Sequence, residues 1–164
     1  SSNPRTEIKA TIQEITKNVD VNFSSVYLYK KENERMMIGP LWDFDISMGN
    51  GDYYPYQAQG FWATGNFMLS NLLTNSDFKQ NYIKTMRDFI FEYKDDIINE
   101  LLKMEELIKE SAINNFNRWP ILNTYYWPNT EPMMKANTYT LQVDYLESWL
   151  KQRFNWLINN IQNI

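Results

Sequence analysis

The chain has 164 residues, 43% of them hydrophobic and 16% aromatic, which suits one domain with its own core and is too apolar for a disordered segment. Its net charge of −4, with no Lys/Arg-rich stripe, argues against a nucleic-acid backbone as the main partner, because counterion release needs clustered cations. It contains neither Cys nor His, which excludes disulfides, thiolate nucleophiles, Cys or His metal sites, a Ser-His-Asp triad and imidazole proton transfer.

Any catalysis therefore rests on carboxylates, hydroxyls, amides, Lys or Arg. The lack of Cys leaves the redox compartment open. No apolar run reaches the roughly 18 residues of a membrane-spanning helix. The chain does not begin with Met, and Ser1-Ser-Asn-Pro4 reads as a cut end, so a fragment or processed chain is expected.

Asn3 before Pro4 predicts a helix start, and Ile8, Ile12 and Ile15 continue at helical spacing to about Lys17. A β-hairpin follows over 26–30 and 36–41, with a polar turn at Glu32, Asn33 and Glu34. Residues 52–65 read as a long aromatic-rich loop, a length that inside compact domains is usually functional or mobile. A short helix is expected at 67–73. Ser76-Asp77 caps the next, with Phe78, Tyr82, Ile83, Met86, Phe89 and Ile90 on its buried face. A further helix spans about 95–118, with Met104 as a candidate kink and Ile97, Leu101, Met104, Ile108, Ala112 and Phe116 as its stripe. Trp119-Pro120 ends it. Trp127-Pro128 opens a loop to about 138. The last helix is expected to carry Leu141, Tyr145, Trp149, Leu150, Phe154 and Leu157 on one face. With no repeat or linker, the expectation is one domain over 1–164, α+β but mainly α, with a small antiparallel hairpin.

Three carboxylates flank that hairpin: Asp20 before it, Asp43 and Asp45 after it. Paired strands lie about 5 Å apart, so residues flanking the two ends become neighbours. Clustered carboxylate oxygens suit Mg²⁺ or another oxygen-loving cation, and one of them is equally suited to act as a general base. The plain reading of Asp20 is turn chemistry. Asp43 and Asp45 are stronger signals, because Asp is depleted in strands and alternation sets both on one side of Phe44. Most aromatics are expected in the core. Tyr53, Tyr54, Tyr56, Trp62, Tyr125, Tyr126 and Trp127 fall in loops and leave a carbohydrate-binding surface as an alternative.

The string Gly39-Pro-Leu-Trp-Asp-Phe-Asp-Ile-Ser-Met-Gly-Asn50 resembles the signature of the spore-coat protein H (CotH) kinase family. Lys17-Asn-Val-Asp20 and Ser25-Val-Tyr-Leu-Tyr-Lys30 resemble the stretch upstream of that signature. Asn115-Phe-Asn-Arg-Trp-Pro-Ile-Leu122, Tyr126-Trp-Pro-Asn129 and Tyr145-Leu-Glu-Ser-Trp-Leu-Lys-Gln-Arg-Phe154 resemble the C-terminal region of bacterial members. The match runs over nearly all of this chain but only the C-terminal part of the family's domain.

The resemblance implies the helical C-terminal lobe of an atypical protein-kinase-like fold, with the N-terminal lobe absent. It implies phosphate transfer from ATP to Ser of surface or coat proteins, with Mg²⁺ or Mn²⁺. Asp20 then matches the catalytic aspartate, Asp43 the metal-binding aspartate that opens Asp-Phe-Asp, and Asp45 a second metal or hydrogen-bonding ligand. Asn22 and Ser25 lie where a further metal ligand is expected, and that role stays open. The phosphate-gripping Lys and covering loop are expected in the missing lobe, so the isolated fragment is expected to be inactive. The resemblance places the protein outside the cell, at the cell surface or in the spore coat. A non-catalytic surface or coat-assembly module is the rival reading. Substrate identity and oligomeric state are not legible.

Overall fold

The computed structural model describes residues 4–34, 36–52 and 54–164. The expected cap at Asn3 and the loop aromatic Tyr53 lie outside the described residues.

Helix α1 spans Pro4–Thr16, as its periodicity predicts, and of its isoleucines Ile15 is buried and Ile12 half-buried. Ile8 is exposed, while Glu7, Ala10, Thr11, Glu14 and Ile15 are buried. Glu7 and Glu14 take the inner face because partners wait there, whereas Thr11 Oγ1 is buried without a hydrogen-bond partner among the described residues. Thr85 Oγ1 donates to Glu7 Oε2 at 3.2 Å, and Arg153 meets Glu14. A buried polar group so satisfied avoids the desolvation penalty that otherwise excludes it.

The hairpin is present and short. Strand β1, Leu28–Tyr29, pairs antiparallel with β2, Met37–Ile38, with Leu28 opposite Ile38 and Tyr29 opposite Met37. Gly39 N–H adds a bond to the Tyr27 carbonyl. A side chain at 39 would come within 2.9 Å of that same oxygen, so the approach needs glycine. Lys9 Nζ takes the carbonyls of Ile38 and Gly39 at 3.0 and 2.8 Å, which fixes the end of β2 against α1.

Helix α2, Phe67–Leu73, is capped by Asn66, whose side chain accepts from Met68 and Leu69 N–H. Helix α3 runs without a break over Ser76–Arg118. Its cap is Asn75, which accepts from Phe78 N–H; Ser76 and Asp77 are its first turn. The two helices expected here are one, of 43 residues and about 65 Å. The gap between the two stripes is a solvated turn at 91–96, and it contains no Gly or Pro to end a helix. A short helix α4, Glu131–Lys135, interrupts the expected loop. Helix α5, Tyr139–Asn160, starts at a Thr138 cap. It buries Val143 rather than Leu141, along with Trp149, Leu150, Arg153, Phe154 and Leu157.

The core lies where α3 meets α5 and α1 crosses α3. Tyr82, Ile83, Met86 and Ile90 pack with Trp149, Leu150, Phe154 and Leu157, and with Ala10 and Ile15 of α1. Each such large apolar side chain contributes roughly 1.5–3 kcal/mol by leaving water. Together these elements make a mainly helical α+β domain with a two-stranded antiparallel sheet.

Candidate active site

Asp20 sits in a 3-10 turn, Val19–Asn22, that follows directly on α1. Asn18 is the cap: its side chain accepts from Asp20 N–H at 3.1 Å and donates to Gln13 Oε1 at 2.8 Å. The Asp20 carbonyl accepts from Phe23 and Ser24 N–H, so the backbone around the carboxylate is fully engaged. Asn66, the cap of α2, donates to the Val21 carbonyl and holds the turn from its other side.

The Asp43 segment is laced to this turn. Val19 N–H donates to the Ile46 carbonyl at 3.1 Å, and Met48 N–H to the Thr16 carbonyl at 2.8 Å. Ser25 Oγ donates to Asp43 Oδ2 at 2.9 Å, and Trp42 Nε1 to the Ser25 carbonyl at 2.8 Å. The Trp42 ring lies against Tyr27, centroids 5.7 Å apart. Asp43 has φ of 62°, a left-handed conformation that Asp tolerates better than most residues and that is held by the surroundings. Residues 41–44 are irregular rather than pleated, so the alternation expected at 43–45 does not apply. Asp20 borders an apolar pocket between α1, the hairpin and α2. Asp45 lines a separate hollow facing Gln142 and Tyr145 of α5.

Asp43 and Asp45 are exposed hard-oxygen donors on ordered backbone. Among the described residues, no three Asp or Glu side chains converge as a ready-made cage. This donor set fits Mg²⁺, which takes one or two carboxylates and leaves the rest of its shell to water and substrate phosphates. Lysines offer less for phosphates. Lys9 is committed to the β2 carbonyls, and Lys17 Nζ to those of Pro55, Gln57 and Gln59 at 2.5, 2.9 and 2.8 Å.

That Lys17 contact belongs to a buried cluster absent from the sequence reading. Arg153 is fully buried and donates to the carbonyls of Ile15, Ala58, Gly60 and Glu14, and to Glu14 Oε1 at 2.7 Å. Glu14 also accepts from the N–H groups of Trp62 and Thr64. The cluster pins loop 55–64 over α1 and α5. Burial raises the Glu14 carboxyl, opposed by the Arg153 charge and the two N–H donors. Burial, and then the Arg153 charge, push the Lys17 ammonium down to about 8. One signal was available in the sequence: Arg153 lies on the helix face that carries Trp149, Leu150 and Leu157.

The loop aromatics divide. Tyr54 is buried and Trp62 is half-buried, its Nε1 donating to the Asn18 carbonyl. Tyr125, Tyr126 and Trp127 are exposed, and Tyr125 donates to Asp52 Oδ2 at 2.8 Å. Gly49 lies under α5. Its φ is 92°, and a side chain there would meet the Tyr145 hydroxyl and the Trp149 ring within 2.7 Å, so only glycine fits.

A family model described as CotH kinase protein matches residues 10–157. The chain belongs to the CotH kinase family. The matched span runs from α1 into α5 and contains all three aspartates. Membership brings kinase-type chemistry, and with it ATP and a divalent metal in general. Proteins of the family are associated with the spore coat. The kinase-like fold follows from the family, and the observed helices and hairpin agree with it. No curated protein and no solved structure matches the chain. Among the described residues, no helix is long and apolar enough to cross a membrane.

Proposed function

We propose that these residues form the helical, acid-bearing lobe of a protein-serine kinase acting on surface or spore-coat proteins. The observation that carries this reading is the lacing of residues 19–25 to residues 42–46, which sets Asp20 and Asp43 in adjoining segments. Asp20 orients the acceptor serine and takes its proton as the serine oxygen bonds to phosphorus and the bond to the ADP leaving oxygen breaks. Asp43, steadied by Ser25, would hold Mg²⁺ or Mn²⁺, with Asp45 as a further ligand. Bound metal supplies charge neutralisation for the phosphates.

The cationic grip on those phosphates is assigned to a further lobe of the domain. Its supporting observation is that Lys9, Lys17 and Arg153 are all spent on backbone carbonyls. The 164 residues alone are therefore expected not to transfer phosphate.

The test uses the full-length polypeptide with labelled ATP and either metal. Wild type incorporates label into serine. Asp20→Asn and Asp43→Asn each lower incorporation by at least about a hundredfold, the scale of a lost general base or charge stabiliser. The double variant is little worse than either single one, because both act on one transition state. Full-length protein that transfers no phosphate to any protein, itself included, sinks the proposal. The exposed Tyr125, Tyr126 and Trp127 then favour an assembly or sugar-binding module.

A further inference from the structure

Beside Asp20 lies a cavity of about 240 Å³ that the phosphotransfer reading does not use. Its walls are largely apolar: Val26 and Leu28 from the hairpin side, Ile38 from β2, and Leu69 and Leu72 from α2. Phe23 and Phe67 also line it and are 72% and 79% exposed, unusual for Phe. Asp20 is itself part of the lining, so the pocket and the proposed base are continuous. Asn22 lines it too. Its Oδ1 is buried and has no hydrogen-bond partner among the described residues, which is costly for a carboxamide oxygen.

Geometry limits what such a pocket receives. An acceptor hydroxyl must come within about 3 Å of the base that takes its proton. An extended peptide advances at most about 3.6 Å per residue. The residue one or two places from the acceptor serine therefore passes over a pocket that Asp20 borders. An apolar cavity of about 150 Å³ already accepts benzene, so this one has room for a Phe, Leu or Met side chain. The carboxamide torsion of Asn22 is soft, and a turn about it offers Oδ1 to a peptide N–H.

We infer that this pocket is the specificity subsite of the kinase. It takes a large apolar side chain one or two residues from the phosphorylated serine. The inference rests on the proposed role of Asp20, and it narrows the substrate class from any exposed serine to serines with an apolar neighbour.

The experiment compares three nine-residue peptides with the full-length polypeptide, ATP and Mg²⁺. Each has one serine in an Ala/Gly background. The first has no large side chain, the second has Phe beside the serine, and the third has Phe six residues away. Affinity is measured separately, without nucleotide, by anisotropy of fluorescein-labelled copies. The second peptide is expected to exceed both others by about tenfold or more in kcat/KM and in affinity. Leu72→Trp, at a lining position that is partly exposed, should bring those ratios close to one.

Equal kcat/KM and equal affinity for the three peptides would overturn the subsite. A preference that survives Leu72→Trp unchanged would also overturn it. Selective binding that Leu72→Trp abolishes, with no phosphate transferred to any peptide, would keep the docking site and remove the kinase reading.

Discussion

Arg153 has no access to water, and its guanidinium is used up by four carbonyls and one carboxylate. Removing one member of such a pair strands the other, whereas removing both leaves only a packing defect. Arg153→Leu is expected to lower the urea-unfolding free energy by about 3–5 kcal/mol, and Glu14→Leu/Arg153→Leu by clearly less than the sum of the singles. Additive losses would mean that the two groups are not coupled. Lys17 makes a pH prediction. Its folded pKa, about 8, is below the 10.5 of the unfolded chain, so between these values the unfolded state binds more protons at this residue. Its contribution to stability therefore rises with pH across that window. Unfolding midpoints of wild type and Lys17→Met, measured from pH 7 to about 10.5, should shift in favour of wild type above pH 8. A constant difference would place the lysine in water.

At the scale of elements, periodicity located the helices and misjudged their faces and breaks. It found α1, α2 and α5 because apolar residues recur at helical spacing. On α1 it followed Ile8, which is exposed, and missed Glu7 and Glu14, which are interior through partners on α3 and α5, because pattern reading has no access to distant partners. It divided α3 because a solvated turn resembles a boundary when only apolar residues are counted. The continuous helix has its own consequence. Tyr82, Ile83, Met86, Ile90 and Ile98 pack into the core, whereas Leu102, Leu107, Ile108 and Ile113 are exposed, with Leu107 at 71%. The distal half keeps a few anchors: Ala112 is buried, Phe116 meets Tyr139, and Tyr139 donates to the Glu105 carbonyl. Amide exchange should be slowest at 82–90 and faster at 102–110, since protection follows buried contacts. Leu107→Gly should cost about 1 kcal/mol relative to Leu107→Ala, the helix-propensity difference alone. A loss of more than about 1 kcal/mol for Leu107→Ala relative to wild type would show that this exposed residue is packed.

For the molecule as a whole, Asp43 and Asp45 stood out in sequence because carboxylates beside an apolar run are chemically odd, whereas Asp20 read plainly as turn chemistry. The lacing between them was not legible. Ser25 Oγ on Asp43, Trp42 Nε1 on the Ser25 carbonyl and Val19 N–H on the Ile46 carbonyl are all tertiary bonds. These bonds, not strand alternation, set the Asp43 backbone at φ 62°. That difference shapes how the lobe should treat a cation. A pleated pair would aim Asp43 and Asp45 together and bind metal without help. Here Asp45 lines a different hollow from Asp20, and no three acidic groups converge among the described residues. The 164-residue chain should therefore bind Mn²⁺ only weakly, with paramagnetic NMR broadening centred on residues 25 and 43–45. Asp43→Asn should abolish that broadening. Ser25→Ala should weaken it only by severalfold, because it removes one hydrogen bond and no charge. ATP added to the full-length polypeptide should tighten Mn²⁺ binding strongly, as phosphate oxygens complete the shell. Tight binding by the 164 residues alone would reveal ligands beyond these carboxylates. Broadening that survives Asp43→Asn would move the metal away from Asp43 and take the proposed division of labour between Asp20 and Asp43 with it.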